Sequence, residues 1–283
     1  MDTPTKAELE HARGYVLGPD EIMETVPRLR NHPGLVDWAL RWTYVDHVND
    51  IHIRHFDQKG PNFTRALLEE LDITLKVDNP EILDRYKEGA FITVSNHPFG
   101  ALDGISLIDL VGHKRPDYKV MVNMVLGRIS AMGPNFITVD ALASDDPAKK
   151  AVSMLGIKAC IQQVKGGHPL GFFPAGAVSK VNLLNGRLED REWQASVIRL
   201  IDKLKVPVIP IFFHGSNSWF FNLLGRVSWQ LRTLRLPREV WRKAHKTIHI
   251  TVGEPITVEE QRAHAGSIEE LGKYLKKRTY MLR

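Results

Sequence analysis

From Gly89 onward the chain alternates short apolar runs with stretches of helical period, and this constrains its fold more than any other feature. Apolar runs bounded by turn residues read as strands, and the stretches of helical period between them read as helices. Strands are expected at Phe91–Ser95, Lys119–Val122, Phe136–Val139, Leu170–Phe173, Val206–Phe213 and Ile248–Val252. Helices are clearest at Pro147–Val164 and Ala195–Leu204. Asp146 suits the cap of the first, and Pro147 suits its opening position, where a missing N–H costs nothing. Thr257-x-x-Glu260 and Ser267-x-x-Glu270 read as capping boxes, the second opening a C-terminal helix. Alternating strands and helices predict an α/β fold, a mixed sheet flanked by helices. Upstream, Val36–Trp42 and Arg65–Leu71 carry helical patterns, broken by Pro19, Pro27, Pro33, Gly34, Gly60 and Pro61. The expected organisation is an N-terminal helical region over 1–88, a core over 89–262 and a C-terminal helix over 263–283.

The 283 residues suffice to bury a full core. No window approaches the ~18 consecutive apolar residues of a membrane-spanning helix. The start, Met1 to Lys6, has no apolar segment of the secretory kind. Cys160 is the only cysteine, which excludes an internal disulfide and a cysteine-built zinc site and fits a reducing cytoplasm. The net charge of +5 is unevenly spread. Between Gly225 and His249 lie Arg226, Arg232, Arg235, Arg238, Arg242, Lys243 and Lys246 against only Glu239. Trp229 and Trp241 are interleaved, and Trp219, Phe220 and Phe221 stand just upstream. Such a stretch suits an anionic membrane surface or an acidic carrier protein. The plainer reading is a solvated face with its tryptophans turned into the core. Nucleic acid is not expected as a partner, since no nucleic-acid motif accompanies the charge.

The segment Val94 to Gly104, Val-Ser-Asn-His-Pro-Phe-Gly-Ala-Leu-Asp-Gly, runs from the end of a strand into a loop and a helix. Strand ends are where ligand sites form in α/β sheets. On one continuous helix His97 and Asp103 would stand about 240° apart and could not meet. A tight loop at Pro98 and Gly100 can fold the carboxylate back onto the imidazole. That pair is a general base: histidine's ordinary pKa leaves it neutral near cytoplasmic pH, and a carboxylate fixes its tautomer. A histidine that merely caps a loop is the competing reading.

Three further blocks follow: Gly127 to Ile137, the run Phe172-Phe173-Pro174-Ala175-Gly176-Ala177-Val178-Ser179, and Val206-Pro207-Val208-Ile209-Pro210-Ile211. The two prolines of the last suit an edge strand or an irregular end. In this order the four blocks resemble the glycerolipid acyltransferase family that includes lysophosphatidate acyltransferase, over Ala90 to Gly215. The resemblance implies that His97 is the general base and Asp103 its orienting partner. It implies too that Phe173, Pro174 and Gly176 shape the acceptor site, and Asn96, Gly100, Phe136 and Pro210 stand with them as substrate-binding candidates. The implied co-substrate is acyl-CoA or an acyl carrier protein, with no cofactor or metal, and the implied acceptor is a lipid.

The chain departs from that family's pattern at several positions. The gap between His97 and Asp103 holds five residues rather than four, which resembles a hemolysin-like branch with acyltransferases of ornithine and glycine lipids. Ala175 replaces a glutamate, and Val178 and Val139 replace arginines associated with the acceptor's phosphate. Lys180, or Lys149 and Lys150, are candidates to compensate; otherwise the acceptor is an amino-acid lipid rather than acylglycerol phosphate. A non-catalytic lipid-binding protein is a further reading. A serine hydrolase is disfavoured, since no Gly-x-Ser-x-Gly elbow occurs. His214, after the last core strand, is either a pocket residue or a satisfied loop histidine. His47, Asp50, His52, His55 and Asp57 invite a metal, but nothing fixes a third ligand, and none is expected. The expected location is the cytoplasmic face of a membrane, peripherally bound.

Overall fold

The structure, a computed structural model, describes residues 33–139, 147–182, 186–227 and 229–283. Asp146, Pro19 and Pro27 lie outside the described residues, and so do the side chains of Lys149, Lys150, Arg226 and Trp229. Among the described residues three helices come first: α1 (Pro33–Thr43), α2 (Val45–Arg54) and α3 (Pro61–Glu70). Then follow β1 (Thr74–Asp78), the short α4 (Glu81–Asp84), β2 (Ile92–Ser95), α5 (Ala101–Gly112) and β3 (Lys119–Asn123). Two 3₁₀ turns lead into β4 (Phe136–Val139), followed by α6 (Pro147–Lys165) and β5 (Leu170–Phe172). The small hairpin β6 (Lys180–Val181) and β7 (Leu188–Glu189) precedes α7 (Ala195–Leu204) and β8 (Val208–His214). The chain ends with α8 (Trp219–Val227), α9 (Trp229–Leu234), α10 (Leu236–Trp241), β9 (Thr247–Val252), α11 (Val258–Ala263) and α12 (Ile268–Tyr280).

Seven strands form one sheet in the order β1-β9-β8-β2-β5-β3-β4. Neighbouring strands run parallel except where β8 meets β9 in antiparallel register, Phe213 opposite Ile250. The mixed α/β sheet expected from the alternation is therefore present. Its central strands β2 and β5 are buried along their whole length, which is why they read as unbroken apolar runs. One face packs Phe63, Leu67, Leu102 and Ile108 from α3 and α5. The other packs Cys160, Val197, Ile201, Leu271 and Leu275 from α6, α7 and α12.

Two features differ from the sequence reading. Thr74–Asp78 lies in the stretch read as helical, yet it is a strand at the sheet edge, paired parallel with β9. Its half-exposed pattern supplies no apolar run, and its place is set by a partner about 170 residues later. Pro210 sits in an interior strand, not at an edge, because β8 lies between β2 and β9. The strand tolerates it because Pro210 stands beside Gly253, where β9 has ended. Gly253 N–H donates to Pro210 O at 2.8 Å, and the proline owes nothing in return.

The helix ends follow their sequence signals. Thr257 and Glu260 form a reciprocal capping box, Thr257 Oγ1 accepting from Glu260 N at 3.1 Å and Glu260 Oε2 from Thr257 N at 2.8 Å. At α12, Ser267 accepts from Glu270 N. Beneath the central strands, Tyr118 is fully buried with its hydroxyl 2.7 Å from Thr93 Oγ1. A Cβ on Gly171 would stand 2.1 Å from that hydroxyl. Gly171→Ala is expected to lose about 1–3 kcal/mol of stability through overpacking; urea denaturation showing no shift would contradict this account of the layer.

Candidate functional site

β2 is the strand at which the connections change direction, toward β3 and β4 on one side and toward β8 on the other. A crevice at the carboxyl end of such a strand is the expected ligand position, and His97 stands there. Gly100, with φ 78°, makes the turn that returns the chain to α5, and a Cβ on it would stand 2.6 Å from Leu236. The turn brings Asp103, in the first turn of α5, back under the loop. Asp103 Oδ2 accepts from Phe99 N at 2.9 Å and Gly100 N at 2.8 Å, and it lies 2.9 Å from His97 Nδ1. That last contact is close but not well aligned, and Asp103 Oδ1 is buried with no hydrogen-bond partner. Burial pushes the Asp103 carboxyl above the usual carboxylate range, with His97 and the two N–H groups pulling it down.

His97 Nδ1 is buried against Asp103, while the side chain as a whole is 18% exposed. Nε2 is therefore the ring nitrogen left for a substrate. The imidazole packs on the Phe173 ring at 4.2 Å between centroids. Gly176, with φ 61°, turns the chain after Pro174; a Cβ there would stand 2.1 Å from Gln194 Nε2. Pro174 O accepts from Gln194 N at 2.9 Å. Gly176 N–H donates to Phe173 O and Ser179 N–H to His97 O, so these two donors are already committed and do not await an oxyanion.

Asn96 is brought beside His97 but serves the backbone. Its amide donates to Phe213 O at 2.9 Å and accepts from Phe213 N at 2.8 Å, stitching β2 to β8. Lys180 follows the residue bonded to His97 O and is exposed. Three candidates are not gathered at His97. Phe136 opens β4 in register with Val120, three strands from β2. Pro210 is buried within β8, level with Val94. His214 turns toward the other edge, its Nε2 2.8 Å from Thr251 Oγ1 and its ring stacked on His249 at 4.4 Å. Burial, and then His249, hold the His214 pKa below the usual histidine value.

Residues outside the motifs hold the site. Asp190 is buried; its Oδ1 accepts from Ser179 Oγ at 2.6 Å and His97 N at 3.2 Å, and its Oδ2 from Trp193 Nε1 at 3.2 Å. Asp190 N–H in turn donates to Tyr280 OH at 2.7 Å, which ties this loop to α12. Lys243, from the basic stretch, turns inward over the Phe99 ring at 4.7 Å and donates to Ser216 O at 2.5 Å. Burial lowers its pKa. No sequence signal marks Asp190 or Lys243 beyond their charge. Asp190 sits in a polar loop between two hairpin residues and a helix, where carboxylates are ordinarily solvated.

The plainer reading of the basic stretch is inverted in part. Arg232 and Arg235 are buried, whereas Trp219 is 76% exposed. Among the described residues no three His, Cys, Asp or Glu side chains gather as a metal site. His52 Nε2 instead faces Ala131 N and Ser130 Oγ, and His55 Nε2 meets Glu70 Oε2 at 2.6 Å. Among the described residues no helix is long and apolar enough to cross a membrane.

A protein-family model described as acyltransferase matches residues 21–283. The chain is 28% identical over 252 residues to a lyso-glycine lipid O-acyltransferase of Bacteroides thetaiotaomicron, covering 86% of this chain and 89% of that one. It is 26% identical over 223 residues to a protein of the same name from Phocaeicola vulgatus, covering 75% and 76%. Among solved structures, the 1-acyl-sn-glycerophosphate acyltransferase of Thermotoga maritima matches 87% of this chain and 91% of its own, with 15% identity and a TM-score of 0.47. For the loop geometry, Asp190→Asn replaces an acceptor of three donors by an amide. It should lower stability by about 1–3 kcal/mol; a urea midpoint equal to that of the wild type would show that the carboxylate does not hold the loop.

Proposed function

The chain belongs to the acyltransferase family, and on that premise we propose that it moves a fatty acyl group from a thioester, acyl-CoA or acyl carrier protein, to the hydroxyl of a lyso-lipid with a glycine head group. The observation that carries this reading is the orientation of His97, with Nδ1 against buried Asp103 and Nε2 left for the substrate. Neutral His97 accepts the hydroxyl proton at Nε2 as the acceptor oxygen bonds to the thioester carbonyl. The tetrahedral intermediate collapses, the C–S bond breaks, and the departing sulfur takes the proton back from the imidazolium. Asp103 holds the ring in one tautomer and stabilises its charged form between the two transfers.

The names of the two relatives support a glycine lipid as the acceptor. Glycine carries no hydroxyl, so the accepting hydroxyl belongs to the chain already attached. A glycine linked through its nitrogen then presents a free carboxylate. The reading also places the enzyme on the cytoplasmic face of an anionic membrane. α8 turns Trp219, Phe220, Leu223 and Val227 outward, and Arg242 and Lys246 are exposed on the segment that follows α10. Apolar residues beside exposed cations suit an anionic lipid interface.

His97→Ala is expected to reduce acyl transfer by about 10²–10⁴-fold while leaving the thermal unfolding curve unchanged. Retained transfer would remove His97 from the mechanism. With mono-acylated glycine lipid and 1-acylglycerol 3-phosphate offered side by side, the glycine lipid should be the better acceptor; the reverse preference would reassign the head group. The double variant Trp219→Ser, Phe220→Ser should weaken binding to anionic vesicles by about 10-fold or more, from the apolar surface withdrawn. Sedimentation with vesicles at low salt measures this, and unchanged binding would place the membrane contact elsewhere.

A further inference from the structure

We propose that Arg191 and Arg232 together seat the carboxylate of the acceptor lipid, a binding site that deepens the function proposed above and rests on that reading. The two guanidiniums reach the same short loop, residues 175–178, at its two ends. Arg191 Nε donates to Ala175 O at 2.5 Å, and its Nη2 lies 3.2 Å from where a Cβ on Gly176 would be. Arg232 Nη2 donates to Val178 O at 3.3 Å. The loop between them leads straight to the base, since Ser179 N–H donates to His97 O and Phe173 packs on the imidazole.

Charge pairing separates Arg232 from Arg115, and the number of ring contacts separates it from Arg235. Arg115 is 7% exposed, and it is paired with both oxygens of Asp117 and donates to three carbonyls. Arg235 is sandwiched between the rings of Trp42 at 4.6 Å and Phe220 at 5.1 Å. Arg232 is 6% exposed, and among the described residues it has one long hydrogen bond and one ring, Phe221, at 5.5 Å. Among the described residues neither Arg232 nor Arg191 is ion-paired with a carboxylate. The carboxylate adjacent in sequence, Asp190, is taken up by His97, Ser179 and Trp193.

A buried cation without a counter-ion is unfavourable, and a second cation beside it more so. Burial, and then the charge of Arg191, lower the Arg232 pKa. An anion entering between the two relieves both penalties, and a planar carboxylate matches the guanidinium fork. The same seat rejects an ammonium head group by repulsion and gains nothing from a neutral one. Its distance from His97 is a matter of a few residues of one loop, so the head group is held while the hydroxyl on the acyl chain reaches Nε2.

The test is binding in mixed micelles without acyl donor, so that it does not depend on turnover. The probes are an N-(hydroxyacyl)glycine, its methyl ester and 1-acylglycerol 3-phosphate, followed by calorimetry. The wild type should bind the free acid about 10-fold or more tightly than the ester. Arg191→Gln and Arg232→Gln should lose that preference while keeping affinity for the ester, and Arg232→Lys should retain part of it. Arg191 is exposed, so its variant folds as the wild type does, and the ester serves as an internal control for Arg232. Equal binding of acid and ester by the wild type, or a variant that weakens both alike, would overturn the site. Tighter binding of the phosphate lipid would overturn the carboxylate assignment. Selective binding of the acid with no acyl transfer in a companion assay would uphold the seat and defeat the proposed function instead.

Discussion

The carboxylate of Asp103 is enclosed at the start of α5, and the geometry of the site follows from how that charge is satisfied. One oxygen collects the N–H groups of Phe99 and Gly100 and faces His97 Nδ1, so the loop from His97 to Gly100 is wrapped around it. A buried carboxylate is costly unless donors converge on it. Here the donors are the backbone of the loop itself, which explains the positive φ at Gly100 and the inward turn of the ring. The loop is then pinned from its other side. Asn217 donates to Phe99 O, and Lys243 lies over the Phe99 ring. Glu239 in turn accepts from Ser218 N–H and Oγ–H, which fixes the segment that carries Asn217.

The legible part of the molecule is the part encoded locally. Strands β2, β5 and β8 announce themselves as apolar runs because burial on both faces leaves little room for polar residues, while β3, β4 and β9 show the alternation of strands buried on one face. His97 and Asp103 are six positions apart, and the Pro98-to-Gly100 turn between them is visible in the same segment. What escapes is set at long range. β1 needs β9 to exist, and Pro210 is tolerable only because β9 stops at Val252. Asp190 acquires its meaning from three donors drawn from two other segments and its own loop. Arg232 reads as a solvated charge until α8 folds over it, since Gly225 leaves space where a Cβ would lie 2.7 Å from its Cδ.

The basic stretch illustrates the same limit in another way. Charge counted along a sequence does not distinguish residues that face solvent from those that face a cleft. Arg242 and Lys246 are exposed, Lys243 is half-buried, and Arg232 and Arg235 are interior. One run of cations is thus divided among three environments, and two of these adjoin the segments around His97. α8 adjoins the interior pair, its Phe221 ring 5.5 Å from Arg232 and its Phe220 ring 5.1 Å from Arg235, while Trp219 and Val227 of the same helix are exposed.

Tyr280 completes this arrangement from far along the chain. Its hydroxyl accepts from Asp190 N–H, and Lys276, one turn earlier, donates to Asp190 O at 2.9 Å. The segment that steadies His97 is therefore anchored by α12, 90 residues beyond Asp190 and about 180 beyond His97 itself. During synthesis at about 5–20 residues per second, the histidine loop exists for about 9–37 s before that anchor is made. The sheet itself closes only once β9 is made, 28 residues before Tyr280, so the completed sheet and the fastening of His97 follow each other within about 1–6 s.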